Sequence, residues 1–317
     1  MKILITGSRG FLGGTIGRFA AVLGHEVLGT GRATQPDPRW PGEYFATDVQ
    51  SADLSALIHE FTPAAIIHAA GTASVGASFA SPLDDLRASL LSWANVLESV
   101  RRSGTSPLLL YPSSAAVYGQ LKELPVSENA PLVPISPYGF HKAACELLGR
   151  EFAVCFGQRL IVLRLFSVFG EAQRRLLIWE LFHRFTGSEE SVWLEGTGKE
   201  TRDYLYADDM ADAIIRLLER KLDVTEGSYQ VINLASGREQ NVLQVAEQMK
   251  TLLESKKKIY CHGTQRSGDP ERWQADISHL KQVLGDWKPG PFEAGLARCL
   301  RAWQSQRPSD YDNQAKI

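Results

Sequence analysis

The stretch Lys2-Ile3-Leu4-Ile5-Thr6-Gly7-Ser8-Arg9-Gly10-Phe11-Leu12-Gly13 decides the fold. Residues 2–5 form an apolar run of the kind that makes a buried strand, and the apolar spacing over 11–23 predicts a helix. Between them lies G-x-x-G-x-x-G. Gly7 makes the tight turn, Gly10 lets the backbone approach a pyrophosphate, and Gly13 permits close packing of helix on strand. The helix N-terminus, with its free N–H groups and the positive end of its dipole, is where such an anion sits. The glycine pattern alone is weak; set between a strand and a helix it predicts a dinucleotide site.

Working outward, short apolar runs alternate with helical patterns. Residues 25–29, 43–46, 64–68, 107–111 and 160–166 are expected to be strands, and 54–61, 83–103 and 137–155 helices. Apolar strands alternating with helices imply a parallel sheet covered on both faces, a doubly wound Rossmann α/β fold. After Gly170 the pattern loosens. Helices are expected over 175–185, 208–220, 242–253, 277–284 and 292–303, with strands at 191–194 and 229–234. This predicts a Rossmann domain of 1–169 and 207–235. A smaller, discontinuous C-terminal α/β substrate lobe takes 170–206 and 236–305, and the polar tail 306–317 is expected to be mobile.

The chain has 317 residues, enough for one large domain and a lobe. A net charge of -2 gives no global field toward nucleic acid or an anionic membrane. No apolar run approaches the ~20 residues of a bilayer span, and the N-terminal run is too short for a signal peptide. Cys145, Cys155, Cys261 and Cys299 show neither C-x-x-C nor zinc spacing, so no metal is expected. Reduced thiols and a cytoplasmic location are expected.

Two arginines bear on the cofactor. NAD-binding domains place an acid at the end of the second strand for the ribose 2′-OH. Here that strand ends Gly29-Thr30-Gly31-Arg32. Arg32 suits a 2′-phosphate, and Arg9, inside the glycine loop, reaches the same group. NADP(H) is therefore the expected cofactor. Asp48, after the third strand, either bonds the adenine amine or caps a helix.

Tyr138 and Lys142 stand four apart at a helix start, so they share a face. A free phenol has a pKa of about 10, and a nearby ammonium favours the phenolate. Tyr138 is thus a proton carrier for a sugar hydroxyl or ketone, and Lys142 also holds the nicotinamide ribose. Ser114, after the strand at 107–111, donates to the reacting carbonyl oxygen as charge builds there.

With these residues in place the chain resembles the extended short-chain dehydrogenases/reductases, the nucleotide-sugar epimerases, dehydratases and reductases. The resemblance runs from Met1 to about Trp303. Besides the glycine loop it rests on Ile66-Ile67-His68-Ala69-Ala70-Gly71, Pro112-Ser113-Ser114-Ala115-Ala116-Val117-Tyr118-Gly119 and Tyr138-Gly139-Phe140-His141-Lys142. Further on come Leu163-Arg164-Leu165-Phe166-Ser167-Val168-Phe169-Gly170, Arg202-Asp203-Tyr204-Leu205-Tyr206-Ala207-Asp208-Asp209 and Arg266-Ser267-Gly268-Asp269. It implies that Phe11, Leu12, Val49, Ala69, Ala70 and Gly71 join the cofactor site. It also implies that Arg202 and Arg266 clamp a nucleotide diphosphate, with Ser74 and Ser167 near the sugar or diphosphate. Relatives often dimerise through the helices at 83–103 and 137–155, so a homodimer is expected.

Departures narrow the chemistry. The 4,6-dehydratase branch carries an Asp-Glu pair where this chain has Ala115-Ala116, and the decarboxylase branch also wants a carboxylate there. No cysteine near Ser114 supports epimerisation beside the ketone. Ser89 stands where many members have asparagine, and His141 replaces a small residue with no account from the sequence. What remains is NADPH-dependent reduction of a nucleotide-linked 4-keto-6-deoxyhexose. A 4-epimerase is the alternative, and an NADP(H)-binding sensor without turnover a more distant one.

Overall fold

A computed structural model of the chain describes residues 1–120, 123–220, 225–264, 268 and 270–305. Along the first half run β1 (Lys2–Thr6), α1 (Phe11–Val22), β2 (Glu26–Gly31), β3 (Glu43–Ala46), α2 (Ser55–Phe61), β4 (Ala65–His68), α3 (Val75–Ala80) and α4 (Pro82–Leu86). A π turn (Arg87–Leu91) leads into α5 (Ser92–Ser103), then β5 (Leu108–Ser114), a 3₁₀ turn (Ala115–Val117), α6 (Pro137–Phe156) and β6 (Arg159–Leu165). The second half holds β7 (Ser167–Phe169), α7 (Leu177–Thr186), β8 (Ser191–Leu194), β9 (Thr201–Tyr206), α8 (Ala207–Glu219) and β10 (Tyr229–Leu234). It closes with β11 (Glu239–Asn241), α9 (Val242–Leu252), β12 (Lys258–Cys261), α10 (Ser278–Leu284) and α11 (Phe292–Gln304).

Among the described residues the main sheet has seven strands in the order β10-β6-β5-β4-β1-β2-β3, and all its pairings are parallel. Its inner strands are apolar on both faces because both faces are covered. Ile3, Ile5, Ile67, Leu110, Ile161 and Leu163 pack with α1, α8 and α10. The alternate residues Leu4, Ile66, Leu109, Leu160 and Val162 pack with α2, α5 and α6. Period-two alternation with both sides buried is the pattern of a doubly wound parallel sheet. Removing one such Leu or Ile side chain costs about 2–5 kcal/mol.

Three differences from the sequence reading have physical causes. The helix expected over 83–103 is interrupted by the π turn. There Ser92 Oγ donates to the carbonyls of Ala88 (2.6 Å) and Ser89 (3.1 Å), competing with the helical ladder. The loosened region contains a second sheet, β11-β9-β7, whose strands are short or partly charged and so lack an apolar run. Ile277, Leu280, Leu284 and Trp287 pack into the core beneath the main sheet, so α10 does not belong to the lobe core as 236–305 implied. That core is built by α7, α9 and α11 around Phe169, Trp179, Phe182, Met249, Leu296 and Trp303. The tail 306–317 lies outside the described residues. No helix among the described residues is long and apolar enough to cross a membrane.

Candidate active site

The carboxyl ends of β1, β4 and β5 bring the motifs to one edge of the sheet, where open α/β sheets bind ligands. Gly7 has φ +69°, and a Cβ there would lie 2.6 Å from the Ala70 amide nitrogen. A Cβ on Gly13 would lie 2.5 Å from the Gly7 carbonyl oxygen. Any larger residue would push the loop away from β4 or the helix away from the loop. Gly10 caps α1 without a side-chain acceptor, so the first-turn N–H groups of Phe11, Leu12 and Gly13 face outward as a cradle that fits a pyrophosphate.

Around the cradle, Ala69 N–H donates to the Thr6 carbonyl at 3.1 Å and fixes the 69–71 turn. Arg9 Nη1 donates to the Gln35 carbonyl at 2.6 Å, tying the glycine loop to the segment after β2. Arg32 is exposed at the end of β2. Asp48 Oδ1 accepts from Gln50 N–H at 3.1 Å, and α2 is capped by Leu54, so Asp48 closes an Asx turn and is not the cap of that helix. Val49 turns its side chain into the core, and its carbonyl accepts from Asn95 Nδ2 at 3.0 Å.

The catalytic candidates meet at the end of β5. Ser114 Oγ accepts from Ala116 N–H at 3.2 Å and caps the 3₁₀ turn. The first turn of α6 packs directly on that turn, since a Cβ on Gly139 would lie 2.6 Å from the Ala116 carbonyl oxygen. Ser136 caps α6 by accepting from Gly139 N–H (3.2 Å), and Tyr138 N–H donates to Ser78 Oγ (3.1 Å). Lys142 Nζ is buried. It donates to the Pro112 carbonyl (2.9 Å) and to Tyr111 Oη (3.2 Å), and lies 5.8 Å from the Tyr138 ring centre. An ammonium has three donors, so after these two bonds one is left for a ligand. Burial holds the Tyr111 hydroxyl well above the ordinary phenol range, so it stays neutral beside the lysine.

Two groups escaped the sequence reading. His68 lies beneath the site, stacked on Trp93 and hydrogen-bonded to Thr6 Oγ1 (2.8 Å) and Ser92 Oγ (3.2 Å). Burial, and secondarily the Lys142 charge, push it down to about 3, so it is a neutral imidazole. Glu146 is one helical turn beyond Lys142. It accepts from Ser113 Oγ (2.5 Å) and pairs with Arg164 (2.8 Å) in the interior. The signal was an arginine inside the apolar run of β6, because a buried guanidinium demands a partner.

The substrate candidates are more dispersed. Ser74 caps α3 by accepting from Ala77 N–H at 3.2 Å. Ser167 opens β7, whose register pairs it with Tyr204 on β9. Arg202, also on β9, donates to the Thr201 carbonyl (2.7 Å), with its guanidinium 5.6 Å from the Trp273 ring centre. Arg266 lies outside the described residues.

With this geometry the chain matches known proteins over most of its length. The family model described as "NAD dependent epimerase/dehydratase family" covers residues 3–235. A UDP-glucose 4-epimerase of Mycolicibacterium smegmatis is 27% identical over 318 residues, 96% of this chain and 99% of that one. A GDP-6-deoxy-D-mannose reductase of Pseudomonas aeruginosa is 27% identical over 314 residues, 96% and 98% of the two chains. The solved structure of MoeE5 in complex with UDP-glucose and NAD superposes with a TM-score of 0.86 at 25% identity, covering 96% of this chain and 99% of that one. The Rossmann edge and its Tyr–Lys helix define an oxidoreductase-type enzyme that uses a nicotinamide cofactor. The chain belongs to the NAD dependent epimerase/dehydratase family, within the extended short-chain dehydrogenases/reductases.

Proposed function

We propose that this chain reduces a nucleotide-linked 4-keto-6-deoxyhexose to the 4-hydroxy sugar with NADPH. The observation that carries the reading is the end of β2. Arg32 is exposed there, and Arg9 is bonded across to the same segment. No acid stands where an unphosphorylated ribose would need one. Two guanidiniums suit a 2′-phosphate, and NADP is the cofactor that cells commonly keep reduced.

The nicotinamide, when bound, supplies the hydride that reaches C4. Ser114 hydrogen-bonds the C4 oxygen as negative charge builds on it, and Tyr138 delivers the proton to that oxygen. Lys142, 5.8 Å from the Tyr138 ring centre and held by Tyr111 and Pro112, turns its remaining N–H to the ribose. Arg202 and Arg266 hold the nucleotide diphosphate, and Ser74 and Ser167 the sugar side. Ala115-Ala116 leaves no acid–base pair beside Ser114 for dehydration. In this reading 1–169 and 207–235 hold the cofactor, 170–206 and much of 236–305 hold the substrate, and the enzyme is cytoplasmic with free thiols.

A second reading, 4-epimerisation, is favoured by the UDP-glucose 4-epimerase among the relatives. It uses the same residues but returns the hydride to the opposite sugar face, leaving the cofactor unchanged. The purified protein is given NADPH and GDP-linked 4-keto-6-deoxymannose, and separately UDP-glucose without added cofactor. Stoichiometric NADPH oxidation with one new sugar supports the reductase. Interconversion of UDP-glucose and UDP-galactose without NADPH loss overturns it in favour of the epimerase.

A homodimer belongs to the same proposal. Phe140, Leu147 and Val154 are exposed at seven-residue intervals along α6, and Leu83 and Leu91 are exposed on the neighbouring helical segment. An apolar stripe of this length calls for a partner surface. Light scattering of the wild type and of Leu147→Glu tests it: a dimer that becomes monomeric supports this face, and a wild-type monomer overturns it.

A further inference from the structure

His141 stands between Tyr138 and Lys142 in the sequence, yet its ring is engaged elsewhere. Its Nδ1 lies 2.5 Å from Asp85 Oδ2 on α4. Asp85 is almost fully buried, with a side chain 3% exposed, and its other oxygen accepts from Thr72 Oγ1. Thr72 Oγ1 in turn lies 3.2 Å from Ser89 Oγ, on the π turn. The same turn brings Ser89 against Gly71, where an added Cβ would be 4.0 Å from the Ser89 hydroxyl.

One carboxylate thus joins three segments. The first is α4. The second is the N-terminal part of α6, which carries Tyr138 and Lys142. The third runs from Gly71 to Ser74, from the cofactor side of the site to the sugar side. The other ties of the α6 turn run elsewhere: Lys142 to β5, Gly139 to the 3₁₀ turn, and Tyr138 N–H to Ser78. The first two ties hold the helix on the end of β5, while the third joins its backbone to α3, which continues from the 71–74 segment. The Asp85 bonds are the side-chain link that reaches Thr72 itself, and they set how far the catalytic turn stands from the 71–74 wall together with that backbone tie.

We propose that Asp85 and His141 are a positioning pair that fixes the 71–74 segment against the Tyr138–Lys142 turn, so that the bound sugar meets Tyr138 at reacting distance. The proposal rests on the reading of Tyr138 and Lys142 as catalytic. The pair touches neither substrate nor cofactor; it acts through Thr72 and through the helix turn. Because the other ties of α6 remain, its loss leaves the chain folded and loosens one wall of the site.

The test is steady-state kinetics with NADPH and GDP-linked 4-keto-6-deoxymannose, or with UDP-glucose if the enzyme epimerises. Melting temperature is measured beside it for every variant. His141→Leu and Asp85→Ala are expected to lower kcat roughly ten- to a hundredfold with KM little changed, since displacement by about 1 Å costs on that order. His141→Asn keeps an N–H donor near the position of Nδ1 and is expected to restore most of kcat. If Asp85→Ala does not fold, Asp85→Asn, which keeps the shape and loses one acceptor, takes its place. Normal kcat in a folded His141→Leu overturns the proposal, and so does a kcat loss that His141→Asn fails to rescue. Tyr138→Phe is run in parallel: if it turns over normally the catalytic reading itself fails, and if it is inactive while His141→Leu is normal only the positioning role fails.

Discussion

Glu146 and Arg164 meet at 2.8 Å inside the protein, both almost fully buried, directly behind the strand end that presents Ser114. Glu146 also receives Ser113 Oγ, while Arg164 donates to Tyr118 Oη (3.0 Å) and to the Glu128 carbonyl (2.9 Å). The pair therefore ties α6, β5, β6 and the loop before α6 into one unit. Removing one partner leaves an uncompensated buried charge. Glu146→Ala is expected to destabilise the fold by about 3–5 kcal/mol, and the double replacement by apolar residues by much less. Urea denaturation of the single and double variants checks this; a single variant within about 1 kcal/mol of wild type contradicts it.

Tyr138→Phe removes the proposed proton carrier and keeps the ring. Turnover is expected to fall by ~10²–10⁴ with cofactor affinity close to wild type. Lys142→Met should damage both, because it also loses the proposed ribose contact. Cofactor titration and single-turnover rates separate the two effects. A Tyr138→Phe protein with near-normal turnover would place the chemistry elsewhere.

The proposed preference for NADP(H) rests on charge at the end of β2. Wild type is expected to bind NADP(H) more tightly than NAD(H). Arg32→Asp should lose about 1.5–3 kcal/mol toward NADP(H), which is roughly ten- to a hundredfold. Equal wild-type affinities for the two cofactors would remove the argument for reduction.

His68 makes acid stability informative. Its folded-state value is pushed down to about 3 from 6.5, chiefly by burial. Below pH 6.5 the unfolded chain takes up a proton that the folded chain refuses. The stability linked to this group is intact above 6.5 and is lost as pH falls toward 3, by about 1.4 kcal/mol per pH unit. Denaturation at neutral pH and at about pH 5 should show that slope, and His68→Gln should flatten it. An unchanged slope in the variant would mean that other groups carry the acid sensitivity.

Much was legible before any fold was known because it depends on local rules. The order of the strands through β6, and of their helices apart from α3, follows from periodicity, the open N-terminus of α1 from a glycine turn between a strand and a helix, and the shared helix of Tyr138 and Lys142 from helical spacing. The family follows from the same motifs in the same order. What the local rules miss depends on partners distant in the chain. The β11-β9-β7 sheet joins strands too short or too charged to show an apolar run. Likewise α10 looked like part of the lobe because nothing in its own residues says which sheet it covers.

The sequence by itself determined the doubly wound sheet, the glycine turn between β1 and α1 and the presence of a Tyr–Lys pair, since each follows from periodicity or spacing within single elements. Only the tertiary structure decided what surrounds them. Lys142 is aimed by Pro112 and Tyr111, thirty or so residues earlier. Arg164 finds Glu146 across the gap between a strand and a helix. His141, without a role in the sequence, finds Asp85 fifty-six positions away. A buried charge or hydrogen bond is satisfied by whichever group the packing brings near, and that choice belongs to the folded chain as a whole.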